Sequence, residues 1–512
     1  MPFYFIAYLD GLSISMGYIV GIDIGTGSTK AVAVDTAGEV IEVSKAAYPT
    51  IQSQPTYSEQ APELIWQAFI KCISRISVAR KEPPLAVVLS SAMHSVIPVD
   101  KAGDPLMNMI TWADNRSAEI AERIKKSNDG ETLYTQNGTP IHAMTPLCKI
   151  VWLKENAASI FRDTSKFLSI KEFIWHKLFD VYEVDFSIAS ATGMFNIMEN
   201  RWNQQALDIC GISPDQLSLP VPTYHRREGL KTGVDGLLKI SRDTPFVIGA
   251  SDGCLANIGS FAIEPGVAAL TIGTSGAIRV ACEKPVTNFK AMTFNYRMFD
   301  NLFVSGGPIN NGGVALKWYA ESFLKLPLNT PADYDMLLDA IKDIEPGAKG
   351  LIFLPYILGE RAPIWNSNSS GVFFGVRNYH TQAHFTRAVL EGISMALYSI
   401  MKAMEETGQR IHKIHVSGGF VHSTGWLQIL SDIFNKPIVL IHDEDASAIG
   451  GAFLGLKILG MIEDYHALDT GEHSTFRPNE KNHMVYRKIF SVYESLYEKT
   501  KDEMNTLAEL AN

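Results

Sequence analysis

At 512 residues, with 46% hydrophobic and 20% charged side chains, the chain is too long for one hydrophobic core and too apolar for long disordered tracts. Two large domains with a cleft between them are therefore expected. A net charge of -10, from 45 Lys and Arg against 55 Asp and Glu, excludes the broad basic surface that a nucleic-acid partner requires. Taken in chain order, the opening stretch to Ser15 is mildly apolar, but it carries Asp10 and no basic flank, so it makes a poor secretory signal. Met16 stands just before the first convincing strand, and residues 1–17 read as an N-terminal extension. No apolar run reaches the ~18 residues of a membrane span. The scattered Cys72, Cys148, Cys210, Cys254 and Cys282 lack the pairing of a zinc or redox motif, which suits reduced thiols in a cytoplasm.

From Tyr18 to Lys30 the sequence YIVGIDIGTGSTK runs an apolar strand into a Gly-Thr turn and on into AVAVD, the pattern of a β-hairpin. Glycines let such a turn present backbone N–H groups to phosphate oxygens, and Asp23 stands beside them for a metal. The turn is no Walker loop, because the Gly-Lys-Ser/Thr ending is absent, and it lacks the dinucleotide fingerprint. Apolar positions Leu64, Ile65, Phe69, Cys72, Ile73 and Ile76 predict a helix over 62–77 with Pro62 in its first turn, and LAVVL at 85–89 predicts a strand. Behind that strand come Met93-His94 and the run Thr111-Trp112-Ala113-Asp114-Asn115-Arg116. These supply the donors, acceptors and aromatic floor of a polyol pocket. Taken alone, His94 also reads as a satisfied core histidine.

Further on, the apolar PFVIGA delivers Asp252 between small residues, where a carboxylate can accept the proton of a substrate hydroxyl. The plainer reading of Asp252 is a helix cap. Glu264-Pro265-Gly266 is loop-like and marks a domain boundary near residue 262, giving domains over 18–262 and 263–512. Immediately after it, GVAALTIGTSG leads into AIRVA and repeats the first hairpin, with Gly273-Thr274 matching Gly25-Thr26. Two such turns facing across a cleft can clamp one nucleotide's phosphates. Residues 384–403 form a helix that is apolar on several faces. Val416-Ser417-Gly418-Gly419-Phe420 then opens a strand onto a glycine pair ahead of a helix over 425–434, where a flat base and ribose can approach the backbone. The class is α/β, with a duplicated domain.

The motifs resemble those of the FGGY carbohydrate kinases, within the actin-like ATPase superfamily, over residues 18 to about 480. MTPLCKIVWLKEN from Met144 is similar to the first family signature, and GVFFGV from Gly371 through HFTRAVLE ending at Glu391 is similar to the second. The resemblance implies two ribonuclease H-like domains of the actin/hexokinase ATPase type flanking a deep cleft, with ATP and Mg2+ as cofactors. It implies Asp252 as catalytic base and Asp23 at the metal. Phosphate and nucleotide contacts fall to Gly25, Thr26, Gly27, Lys30, Gly273, Thr274, Gly313 and Lys317, and the adenine side to Gly419 and Ser423. Met93, His94, Trp112, Asp114 and Arg116, with Asp252, take the sugar.

Met93-His94 resembles the xylulokinase and gluconokinase branches and departs from the Arg-Glu pair of glycerol kinases. ITWADNRS from Ile110 and ASATGMFNI from Ala189 most resemble the gluconokinase branch. The expected reaction is ATP-dependent phosphorylation of gluconate to 6-phosphogluconate in the cytoplasm. The runner-up is a ketopentose kinase, and a non-catalytic actin-like ATPase or sugar-responsive regulator stands behind it. The expected partner is a small sugar or sugar acid, with no nucleic acid and no membrane, and a homodimer is compatible with the resemblance. A gluconate carboxylate needs charge-assisted donors, for which Arg116, Lys149, Lys171 and Arg361 are the candidates.

Overall fold

Each half of the chain builds the same twisted sheet. The computed structural model describes residues 17–328, 330–418, 420, 423–441, 445–469, 471 and 473–511. The expected N-terminal extension, apart from Gly17, and Gly419 lie outside the described residues. In the first half, β1 (Tyr18–Ile24), β2 (Ser28–Asp35), β3 (Val40–Ala47), β4 (Ala86–Ser91) and β5 (Phe246–Ser251) stand in the order β5-β4-β1-β2-β3. β1 pairs antiparallel with β2 and β2 with β3, whereas β4 runs parallel to both β1 and β5. Central strands of a parallel sheet are covered on both faces, so they read as continuous apolar runs, and all six residues of β4 and β5 are buried.

The second half uses β6 (Val267–Ile272), β7 (Gly276–Cys282), β8 (Phe294–Phe299), β9 (Leu302–Ile309), β10 (Lys413–Ser417) and β11 (Ile438–Leu440), in the order β8-β9-β7-β6-β10-β11. β6 pairs antiparallel with β7 and parallel with β10, and β10 runs parallel to β11. Strand for strand, β6, β7, β9, β10 and β11 therefore repeat β1, β2, β3, β4 and β5, with β8 added at one edge. The repeat seen in the sequence is a repeat of the whole sheet.

Helix α1 (Pro62–Arg80) begins with proline at its first turn and buries Ile65, Phe69, Cys72, Ile73 and Ile76 against β2 and β3. It runs one turn beyond the expected end, to Lys81 in the left-handed conformation, whose N–H bonds the Ser77 carbonyl. Helices α2 (Pro146–Asn156) and α3 (Ile170–Phe179) carry the first signature and the floor under β5. α4 (Asp252–Gly259) leaves β5, α5 (Gly313–Tyr319) follows β9, and α6 (Gln382–Glu406), α7 (Thr424–Phe434), α8 (Ala446–Ile458) and α9 (Glu480–Ala511) complete the second half.

α4 and α8 are topological equivalents, each following the fifth strand of its sheet, and they pack on one another between the domains. The approach is close enough to demand glycine. A Cβ on Gly259 would stand 2.1 Å from the Ala446 carbonyl oxygen, and one on Gly450 would stand 1.9 Å from that of Leu255. This crossing brings the N-termini of α4 and α8 to one cleft.

Candidate active site

The cleft is built from strand ends and helix starts. Asp23, next to last in β1, faces Lys30 across the hairpin ladder and Ser90 across the parallel pair with β4. The Ser90 hydroxyl donates to Asp23 Oδ1 at 2.8 Å. Burial pushes the Asp23 carboxyl up to about 7, the charge of Asp252 adds to that, and the Ser90 hydrogen bond opposes it. Lys30 reaches across the cleft to pair with Asp445 at the start of α8.

Asp252 is the first residue of α4. It is not the cap: Ser251 is, with its Oγ accepting the Cys254 N–H at 3.4 Å. That frees the Asp252 carboxylate for the cleft, where its Oδ1 accepts the neighbouring Gly253 N–H at 2.6 Å. Burial raises its pKa, and Arg279 and Lys171 work to lower it. Lys171 holds this delivery point from below, donating to Asp185 Oδ2 at 2.8 Å and to the Ala250 carbonyl at 2.7 Å. Arg279, on β7 of the opposite domain, donates to Thr271 Oγ1 at 3.3 Å and packs on Gly253, where a Cβ would stand 3.0 Å from its Nε. Asp23, Lys30, Asp252, Gly273, Arg279 and Asp445 share a cleft of ≈ 280 Å³.

The two Gly-Thr turns have different neighbours. At the second, the Gly313 N–H donates to the Gly273 carbonyl at 2.7 Å and the Val314 N–H to the Thr274 carbonyl at 3.1 Å, so the turn seats the start of α5. Lys317, one turn further on, is half exposed, with Glu321 at 3.5 Å. At the first, Gly25 accepts the Tyr48 hydroxyl at 2.5 Å, the Gly27 carbonyl accepts the Tyr48 N–H at 3.2 Å, and Thr26 Oγ1 accepts Trp112 Nε1–H at 2.8 Å. Thr26 therefore ties the expected phosphate turn to the expected sugar side. Ser423 caps α7, accepting the Trp426 N–H at 3.2 Å, and its hydroxyl is occupied by that role.

On the sugar side, Met93 is partly buried, and His94 is buried and satisfied. His94 Nδ1–H donates to the Ala191 carbonyl at 2.7 Å, and Nε2 accepts from the Tyr296 hydroxyl at 3.3 Å. Burial, then the Lys149 charge, lowers its pKa to about 3, so the ring is neutral. Asp114 accepts the Ser58 N–H at 2.7 Å and Arg116 Nε at 2.8 Å, and Arg116 Nη2 reaches Glu59 at 2.6 Å with its guanidinium over the Tyr57 ring. This closed network shapes the Trp112 loop and turns both charges toward each other. Lys149 donates to the carbonyls of His94, Thr111 and Met144 at 2.5, 2.7 and 2.8 Å. Arg361 lies over the Trp112 ring at 5.0 Å.

Arg279, Asp445, Tyr296 and His142 escaped the sequence reading. Asp445 carried a signal, because the strand, acidic residue and small-residue helix around it repeat the pattern around Asp252. Arg279 stands in the repeated hairpin, where alternation put it on one face of β7. Tyr296 reaches His94 from the far domain, and no local pattern marks such a contact.

No helix among the described residues is long and apolar enough to cross a membrane. Family models for the FGGY carbohydrate kinases match residues 18–259 (N-terminal domain) and 268–458 (C-terminal domain). A gluconokinase of Bacillus subtilis (strain 168) is 40% identical over 501 residues, covering 96% of this chain and 98% of its own. The crystal structure of gluconate kinase from Lactobacillus acidophilus superposes with a TM-score of 0.89 at 33% identity, covering 95% of this chain and 98% of the other. That of ligand-bound xylulose kinase from the same species gives a TM-score of 0.91 at 32% identity, over 96% and 100% of the two chains.

Proposed function

The chain belongs to the FGGY family of carbohydrate kinases, and from that premise we propose that it transfers the γ-phosphoryl group of ATP to the terminal hydroxyl of gluconate, giving 6-phosphogluconate. The observation that carries the chemistry is a carboxylate released from capping duty: Asp252, with Ser251 taking the helix N–H, stands free at the cleft between Arg279 and Lys171. The acceptor assignment is supported by 40% identity along nearly the whole chain to a curated gluconokinase.

In this reading Asp252 accepts the proton of the attacking hydroxyl. Burial makes it a stronger base than an exposed carboxylate, while Arg279 and Lys171 favour its anionic form. Arg279 and Lys30 would flank the transferring group, and the two Gly-Thr turns, whose glycine N–H groups close the hairpins, would take the phosphates with their remaining N–H groups. Asp23 and Asp252 also fit a magnesium ion. Burial is the larger cause of the raised Asp23 pKa and the Asp252 charge the second, and a divalent cation relieves both. Among the described residues no cluster of three ligating side chains exists, so two carboxylates would leave the rest of the shell to phosphate oxygens and water, which suits magnesium. When bound, the ion supplies charge neutralisation at the phosphates. Trp112, held by Thr26, couples the turn to the acceptor pocket, so nucleotide and sugar are positioned by one connected set of bonds.

A ketopentose acceptor is the second reading, favoured by the fit to xylulose kinase. The test is coupled ADP release at fixed ATP and magnesium with gluconate, xylulose, ribulose, glycerol and rhamnulose in turn. Gluconate should give the highest kcat/KM. A ketopentose ahead of it would replace the acceptor, and ADP release unchanged by every sugar would remove the kinase assignment.

A further inference from the structure

Beside the Trp112 loop the structure holds a buried cation outside any ion pair among the described residues. Arg361 is 8% exposed. Its Nε donates to Asn310 Oδ1 at 2.7 Å and its Nη2 to the Ile309 carbonyl at 2.9 Å, and it joins no ion pair among the described residues. The adjacent Glu360 is engaged elsewhere, accepting the N–H groups of Asn310 and Arg361 and, at 3.0 Å, Asn311 Nδ2. Among the described residues Arg361 Nη1 has no acceptor, and the atom is not fully buried, so it stays reachable by solvent. A buried charge is normally paired, and this one is left with a free, accessible donor.

His142 supplies a second such donor. Its Nδ1 accepts the Met144 N–H at 3.1 Å, which leaves the proton of the neutral ring on Nε2. Among the described residues Nε2 also lacks a partner, and it too is not fully buried. The ring packs on Trp365 with centroids 5.2 Å apart. Burial first, then the Arg361 charge, lowers its pKa to about 3, and the Trp365 N–H donates to the Arg361 carbonyl at 2.7 Å. Two free N–H donors, one charged, are therefore joined through Trp365, which touches both residues.

We propose that Arg361 Nη1 and His142 Nε2–H together seat the carboxylate of the acceptor, and so select a sugar acid over a neutral sugar. The inference deepens the gluconate reading and rests on it. The other candidate cations are committed: Arg116 to Asp114 and Glu59, Lys149 to three carbonyls, Lys171 to Asp185 and the Ala250 carbonyl. An Arg–carboxylate contact backed by a neutral donor also gives orientation as well as attraction.

The test uses full-length His142→Phe and Arg361→Lys. The first keeps an aromatic ring on Trp365 and deletes the donor, and the second keeps the charge and deletes the fork. Gluconate and ATP binding are measured separately by calorimetry, steady-state KM is measured for gluconate and for xylulose, and thermal melting reports folding. Each variant should bind gluconate about tenfold or more weakly, with ATP affinity and any xylulose turnover unchanged. Should Arg361→Lys fail to fold, His142→Phe decides alone. A parent enzyme that prefers gluconate, with variants that keep its affinity, overturns the clamp and leaves the acceptor assignment standing. A parent that prefers a ketopentose overturns both.

Discussion

Two junctions in this molecule occupy equivalent places and do different work. β5 runs into α4 with Asp252 at the helix start, and β11 leads to α8 with Asp445 at its start. The first carboxylate touches no cation within the ion-pair set of the described residues, while the second is held by Lys30 from the other domain. The hairpins differ in the same way. The ladder position that pairs Asp23 with Lys30 in the first half pairs Thr271 with Ala277 in the second, and the second hairpin places Arg279 two residues further along. Duplication supplies a symmetric scaffold with two helix starts and two Gly-Thr turns. Function is assigned where the symmetry of charge is broken.

The largest expected effect comes from removing the free carboxylate. Asp252→Asn should lower kcat by about 10²- to 10⁴-fold, the usual worth of a positioned general base. ATP affinity, followed by calorimetry, should stay within a few-fold of the parent. Near-normal turnover would take the role of base from Asp252. Next come the paired glycines of the helix crossing. Gly259→Ala and Gly450→Ala each put a Cβ onto a carbonyl oxygen, and each should cost about 1 to 3 kcal/mol or more in thermal or denaturant unfolding. Similar losses at both sites would uphold the symmetry of the scaffold. A neutral result at one would show that the crossing is anchored from one domain only.

A smaller effect per pH unit concerns the histidines behind β4 and within β10. Burial lowers His94 and His142 to about 3 and His415 to about 4. A depressed histidine is neutral in the fold and protonates first in the unfolded chain, so stability is complete above the unfolded value near 6.5. It declines as pH falls toward 3 or 4, by up to about 1.4 kcal/mol per unit for each ring. Thermal melts between pH 7 and 5 should show that decline, and His415→Gln should flatten it. An unchanged slope in His415→Gln would exclude that ring from the acid response.

The hairpins, the duplication, α1 and the Asp252 junction were legible because each is written locally, in strand periodicity, a Gly-Thr turn and a carboxylate among small residues. Asp114 and Arg116 were read as polyol contacts from their types alone, and the structure turns them toward Glu59 and Ser58, residues more than fifty positions earlier. Lys149 and Lys171 likewise looked like free cations, because nothing local marks a lysine as buried against carbonyls. His142 and Tyr296 acquire meaning only when the domains meet. What sequence pattern conveys is backbone geometry, and which charge is spent on which partner is settled by tertiary packing.

The smallest expected effect is the sharpest test of the broken symmetry. Asp445 and Lys30 are each about a quarter exposed, so their ion pair should contribute less than about 1 kcal/mol to stability. Asp445→Asn should then barely move the melting temperature. Its mark should appear in nucleotide binding, because Lys30 loses its competing carboxylate and becomes available to a phosphate. ATP affinity should rise, by less than about tenfold, with kcat held. Calorimetry with ATP and steady-state kinetics read both quantities. A loss of turnover as deep as that of Asp252→Asn would mean that both helix starts carry essential carboxylates, and that the duplicated scaffold kept its chemistry in both halves.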